Sequence, residues 1–230
     1  MKICFTSNFK KYSPKGDVLQ LLNLLKAIDK KVERISSASN QEFLIDCVLP
    51  FLFVNGYEGF DFRYVKFHES ENQASKIAQM DDKENYDFIF VRNRQLALDL
   101  IRINEKLASK MLYLSIQYDE DDKAMMEEMD YLFKNSKMIF FQSVPWAERF
   151  KDYVCRNGVS PEIVERKVKI LTPYVEPLLD NEISLINRSS PPHLIMAGVI
   201  RPLFGLSIAI QAVHQIRQFS PDAHLHLVYP

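Results

Sequence analysis

The chain has 230 residues, long enough to bury a sizeable core as one large domain or two smaller ones. Its 29 basic and 30 acidic residues leave no cationic field of the kind that holds nucleic acid, and a 47% apolar composition excludes a disordered chain. Cys4, Cys47 and Cys155 are odd in number, far apart and free of any CxxC spacing, which removes a disulfide framework and a zinc-cysteine motif and points to a reducing, cytoplasmic compartment.

Lys2 to Ser7 reads as a short strand, and the helix after it places Val18, Leu21, Leu22, Leu25 and Ile28 on one face. Gly16 and Asp17 stand at that helix's start. A second helix is expected over about 40–52. The apolar stretch "FLIDCVLPFLFV" from Phe43 to Val54 falls far short of the roughly 20 apolar residues that span a bilayer and is broken by Asp46 and Pro50. It reads as a buried helix, with a membrane-facing surface as the alternative.

"FDFRYVKF" alternates as a half-buried strand near a sheet edge does. His68 falls in the loop after it and reads as a surface residue. "YDFIFVR", "KMLYLSI" and "KMIFFQS" are continuous apolar runs, as central parallel strands are, and each is followed by a helix. The first helix is expected over Gln95 to Ala108. The second follows "DEDD" from Asp119 and buries Met125, Met129, Leu132 and Phe133; the four acids complement its dipole rather than bind metal. The third carries Trp146, Phe150, Tyr153 and Val154 on one side, with Ser143 as its cap. "KVKIL" supplies one more strand.

Strands alternating with helices imply a doubly wound parallel sheet, an α/β Rossmann-like fold whose ligands bind at the carboxyl ends of the strands. On that rule Arg92, Asn93, Gln117, Tyr118 and Ser143, together with Gly16, are the polar and loop residues expected to line a cleft. From Glu176 the texture turns polar and proline-rich. The expected organisation is a first domain over 1–178, a linker over 179–192 and a partial second domain over 193–230, the last a single βαβ made of "HLIMAGV", a helix and "AHLHLVY". His193, His214, His224 and His226 show no metal-ligand spacing.

The order of these landmarks resembles the retaining glycosyltransferases of the GT-B fold, in the group 1 or family 4 class. "SPKGDVLQLLNLLKAI" is similar to that family's first loop and helix, with Gly16 where a glycine pair is usual. "VKILTPYVEP" is similar to its Pro-Asn-Gly-Val-Asp segment, with Tyr174 for the asparagine and the glycine missing. "LIMAGVIRPLFGLSIAIQAVHQIRQFSPDAHLHLVY" resembles the opening βαβ of its donor domain. There the family has a basic residue after the first glycine and a lysine before the second, whereas Val199 and Phe204 stand here.

The resemblance implies an acceptor-binding first domain and a nucleotide-sugar donor bound by Gly198, Arg201 and Gly205, with Arg201 the cation of that loop. No metal or other cofactor is required, because arginine, lysine and helix N-termini stabilise a departing diphosphate. The implied activity moves a sugar to a glycan or lipid-linked hydroxyl in polysaccharide synthesis, in the cytoplasm or at the inner face of the cell membrane. The family's Glu-x7-Glu motif does not occur, so the chain reads as a fragment inactive by itself. A nucleotide-sugar epimerase of similar fold and a non-enzymatic α/β ligand-binding module are the alternative readings.

Overall fold

A computed structural model of the protein describes residues 1–8, 15–38, 42–50, 62–116, 118–172, 193–197 and 206–228. Backbone contacts divide the chain into two units, Met1–Glu176 and Pro177–Pro230.

In the first unit β1 (Lys2–Thr6) leads to α1 (Lys15–Ala38), then β2 (Leu44–Leu49), β3 (Val65–Glu69) and α2 (Gln73–Glu84). Next come β4 (Phe88–Val91), α3 (Arg94–Ile103), α4 (Glu105–Ala108), β5 (Met111–Ser115) and α5 (Lys123–Asn135). The unit closes with β6 (Met138–Phe141), α6 (Val144–Arg156), α7 (Pro161–Lys167) and β7 (Val168–Ile170). The seven strands form one sheet in the order β3-β2-β1-β4-β5-β6-β7, every pair parallel. This is the Rossmann-like α/β sheet expected from the alternation of strands and helices.

Strand alternation sorts the core into two layers. Cys4, Val48, Ile89, Val91, Met111 and Ile139 face α2, α3, α5 and α6, whose Ile77, Leu100, Met129, Leu132 and Phe150 are buried against them. Phe5, Ile45, Cys47, Phe90 and Leu114 face the other way and pack with Leu21, Leu22, Leu25 and Val32 of α1. Each such aliphatic or aromatic side chain stabilises the fold by roughly 1.5–3 kcal/mol when fully buried.

The expected helix over 40–52 is corrected: Leu44–Leu49 is a strand between β1 and β3, with Lys2 opposite Leu44 and Ile45 opposite Val65. A strand covered on both faces reads as an unbroken apolar run, which periodicity does not distinguish from a buried helix. Its burial also removes residues 45–49 from any membrane-facing surface; Phe51 to Val54 lie outside the described residues. His68 is corrected in turn. It lies within β3, paired with Val48, rather than in a loop after the strand.

The helix expected over Gln95 to Ala108 is two. Asn104 adopts an extended conformation (φ −154°, ψ 103°), its backbone N–H closing α3 on the Leu100 carbonyl while its side-chain oxygen accepts from Lys106 N to open α4. α5 begins only at Lys123, after the four acids. Asp122 is its N-cap, accepting from Met125 N at 3.0 Å, and Glu120 pairs with Arg149 at 3.0 Å.

The second unit contains β8 (His193–Ala197), α8 (Leu206–Arg217) and β9 (His224–Val228), with β8 and β9 parallel and His193 opposite His224. Val213 and Ala223 are buried, and Arg217 Nε donates to the Ala223 carbonyl. Gly198, Arg201, Gly205 and the expected linker over 179–192 lie outside the described residues.

Candidate functional site

In this strand order β1 and β4 are neighbours whose following helices cover opposite faces, so the chain leaves the sheet in two directions and a crevice opens at their carboxyl ends. The ends of the strands there are tied by one buried amide. Gln73 Nε2 donates to Thr6 Oγ1 at 2.8 Å, to the Ser7 carbonyl at 3.0 Å and to the Val48 carbonyl at 3.0 Å. Thr6 Oγ1 donates in turn to the Val48 carbonyl, and Arg92 N donates to the Thr6 carbonyl at 3.1 Å. Polar groups so deep in a sheet persist because each has a partner.

Beside this tie lies a cleft of about 620 Å³, within the roughly 300–1,000 Å³ of ligand sites. Asn8 borders it from the end of β1, and Glu71 and Asn72 border it ahead of α2. Asn72 is the N-cap of that helix, accepting from Ser75 N at 3.1 Å. The opposite wall is the surface of α3: Gln95, Asp99 and Arg102, one helical turn apart, with Ile103 half exposed below them. Gln95 Nε2 and Arg102 Nη1 both donate to Asp99 Oδ1, at 2.9 and 3.1 Å.

The residues expected from the sequence to line a cleft are placed differently. Arg92 is buried beneath the crevice, and Asn93 caps α3 by accepting from Leu96 N at 2.9 Å. The α3 wall of the cleft therefore begins two residues beyond Asn93, at Gln95. Gly16 is the second residue of α1, and Ser143 caps α6, its Oγ accepting from Trp146 N at 3.4 Å. Gln117 lies outside the described residues. Tyr118 stands edge-on to Phe141 and Phe150 and borders a separate pocket of about 400 Å³ with Tyr153 and Arg156. Burial pushes its phenol up to about 12.

Deeper in the sheet, and unmarked in the sequence, a second polar cluster sits on Asp46. Its Oδ2 accepts from Tyr86 Oη at 2.5 Å and its Oδ1 bonds His68 Nε2 at 2.6 Å. Burial, with this hydrogen bond second, pushes the Tyr86 phenol far up.

No protein-family profile and no curated protein matches the chain. Solved structures do. The structure of Anabaena Alr3699/HepE in complex with UDP and glucose superposes with a TM-score of 0.59 at 15% identity, covering 99% of this chain and 60% of its own. The same protein with UDP gives 0.58 at 13% identity over 100% of this chain and 62% of that one. The lipopolysaccharide outer core galactosyltransferase WaaB gives 0.51 at 12%, over 99% and 60%.

Its fold is that of the GT-B glycosyltransferases.

The chain spans about three-fifths of the length of these GT-B structures, 60 to 62%. At such identities the likeness is one of fold. Gln95, Asp99 and Arg102 escaped notice in the sequence because a polar helix surface has the same composition whether it faces bulk water or a cleft, and Gln73 because nothing local marks a glutamine as buried. One signal was present. Residues one turn past the end of a central parallel strand lie at the crevice whenever the first polar residues of that loop are spent on capping.

Proposed function

We propose that the chain is part of a glycosyltransferase that moves a sugar from a nucleotide-sugar donor to a hydroxyl acceptor in glycan or polysaccharide synthesis. The observation that carries the reading is the GT-B fold, shared with a galactosyltransferase and with a protein solved with UDP and glucose. In this reading residues 1–178 form the acceptor side, 179–192 the linker and 193–230 the start of the donor side.

The acceptor hydroxyl approaches over the cleft bordered by Asn8, Gln95 and Asp99, with Tyr118 and Ser143 on flanking loops. The donor diphosphate meets the segment that follows β8 in the sequence, where Gly198 and Gly205 are the residue type that lets backbone amides approach a ligand and Arg201 is the cation. As the carbon–oxygen bond to the sugar breaks, the leaving phosphate gains charge, and a guanidinium beside it lowers the barrier by stabilising it. The reaction proceeds without a metal and with retention of anomeric configuration. The protein works in the cytoplasm, at the membrane's inner face where the acceptor is lipid-linked. Among the described residues no helix is long and apolar enough to cross a membrane.

Calorimetric titration with UDP, UDP-glucose and UDP-galactose tests the donor assignment, and proton NMR of the product tests retention. Saturable binding that survives EDTA is expected. Arg201→Ala should weaken it by about 10- to 100-fold, the worth of one charge-assisted contact of 1.5–3 kcal/mol. Absence of binding by any nucleoside diphosphate or nucleotide sugar sinks the reading.

A further inference from the structure

The cleft at the carboxyl ends of β1 and β4 has a lining specific enough to say what kind of acceptor it takes. Resting on the transferase reading above, we infer that the acceptor group held there is a neutral, hydroxyl-rich saccharide, not a phosphate or a carboxylate-bearing group.

Charge and hydrogen-bonding valence both select such a group. Among the described lining residues the ionised side chains are Glu71, Asp99 and Arg102, two negative against one positive. The one guanidinium is already engaged, with Nη1 on Asp99 Oδ1 at 3.1 Å and 2 carboxylates within the same lining. An incoming anion would meet lining side chains with one more negative than positive charge and would have to compete with Asp99 for the Arg102 guanidinium, both unfavourable. A sugar hydroxyl meets the reverse situation. Glu71 accepts only, and so does Asp99, whose Oδ1 is taken by Gln95 and Arg102 while no described residue donates to Oδ2.

The amides complete the pattern. Asn8 and Gln95 each carry a donor and an acceptor, as a hydroxyl does, so adjacent hydroxyls of a pyranose ring find alternating partners along the wall. Because Gln95 Nε2 is held by Asp99, its carbonyl oxygen is oriented without further cost in freedom. Ile103, 48% exposed and part of the lining, offers the C–H face of a sugar an apolar surface. The arrangement stays in place because Gln73 pins the end of β1 to β2 and to the first turn of α2.

The test is an NMR titration of the isotope-labelled chain with methyl hexosides, lactose and cellobiose, against glucose 6-phosphate and glucuronate at matched ionic strength. The neutral sugars should move the amide signals of Asn8, Gln95, Asp99 and Arg102. Glu71→Gln and Asp99→Asn should each weaken them about tenfold at unchanged melting temperature. The anions should bind at least tenfold more weakly and gain affinity in the double variant.

Equal or tighter binding of the anions overturns the inference, including binding lost on Lys10→Ala and Lys11→Ala, the cations that follow Asn8 in the sequence. So does failure of every neutral sugar to move those signals. If UDP binds while the anions win or no sugar binds, only the acceptor class is wrong. If UDP fails as well, the transferase reading falls with it.

Discussion

The carboxylate of Asp46 lies in the second strand of a parallel sheet, 3% exposed, where an unpartnered charge would not survive folding. It survives because Tyr86 and His68 both reach it from neighbouring segments. Asp46→Ala should therefore orphan the buried Tyr86 hydroxyl at a cost of about 1–3 kcal/mol, with a smaller loss at the partly exposed His68, read as a lower urea midpoint, while Asp46→Asn recovers part of the loss. Tyr113 and Tyr118 couple stability to pH. Burial pushes both phenols up to about 12, whereas in the unfolded chain each ionises near its ordinary value of about 10. The unfolded state thus releases these protons first, so the stabilisation is complete below about pH 10 and is lost as pH rises towards 12. Urea midpoints measured across that range should fall, and less steeply in Tyr113→Phe and Tyr118→Phe. A flat profile contradicts the burial of these rings.

The elements repeat one local device. Asn72, Asn93, Asp122 and Ser143 each end a loop at the sheet's carboxyl edge by accepting a backbone N–H of the next helix. Two of the polar residues that strand topology nominated for ligand contact, Asn93 and Ser143, are thereby spent on holding α3 and α6 in place. Asn93→Ala should cost about 1 kcal/mol in thermal stability and Asn93→Ser should restore most of it. If the serine variant is stable but loses acceptor binding, Asn93 has a ligand role as well as a cap. β2 is the element whose pattern misled. Its two faces are both covered, by α1 on one side and α2 on the other, so hydrophobicity alone carried no period to separate strand from helix. β4, β5 and β6 were legible because each is a short, continuous apolar run followed in the chain by an amphipathic helix, directly after β4 and β6 and beyond the four acids after β5.

At the scale of the molecule, the two units differ in how much core they enclose. Met1–Glu176 has seven paired strands and an apolar layer on each face, whereas the described strands of Pro177–Pro230 form a two-stranded sheet under one helix. Surface-to-volume scaling leaves so short a unit little net stability of its own. Residues 1–176 expressed alone should melt in one cooperative transition with the near-ultraviolet dichroism of a packed core. Residues 177–230 alone should show no such transition. A cooperative melt of the short piece would mean that it encloses a core of its own.

The sequence by itself determined the class of fold, because apolar runs of strand length alternating with helices admit few arrangements besides a doubly wound parallel sheet, and it determined which loops gather at the carboxyl edge of that sheet. Only the tertiary structure decided which polar side chains reach that edge. Whether an asparagine is a cap or a contact, whether Asp46 is buried with two partners or exposed, and whether the Gln95–Asp99–Arg102 face looks into a cleft all depend on neighbours distant in the chain. A local pattern carries no record of them.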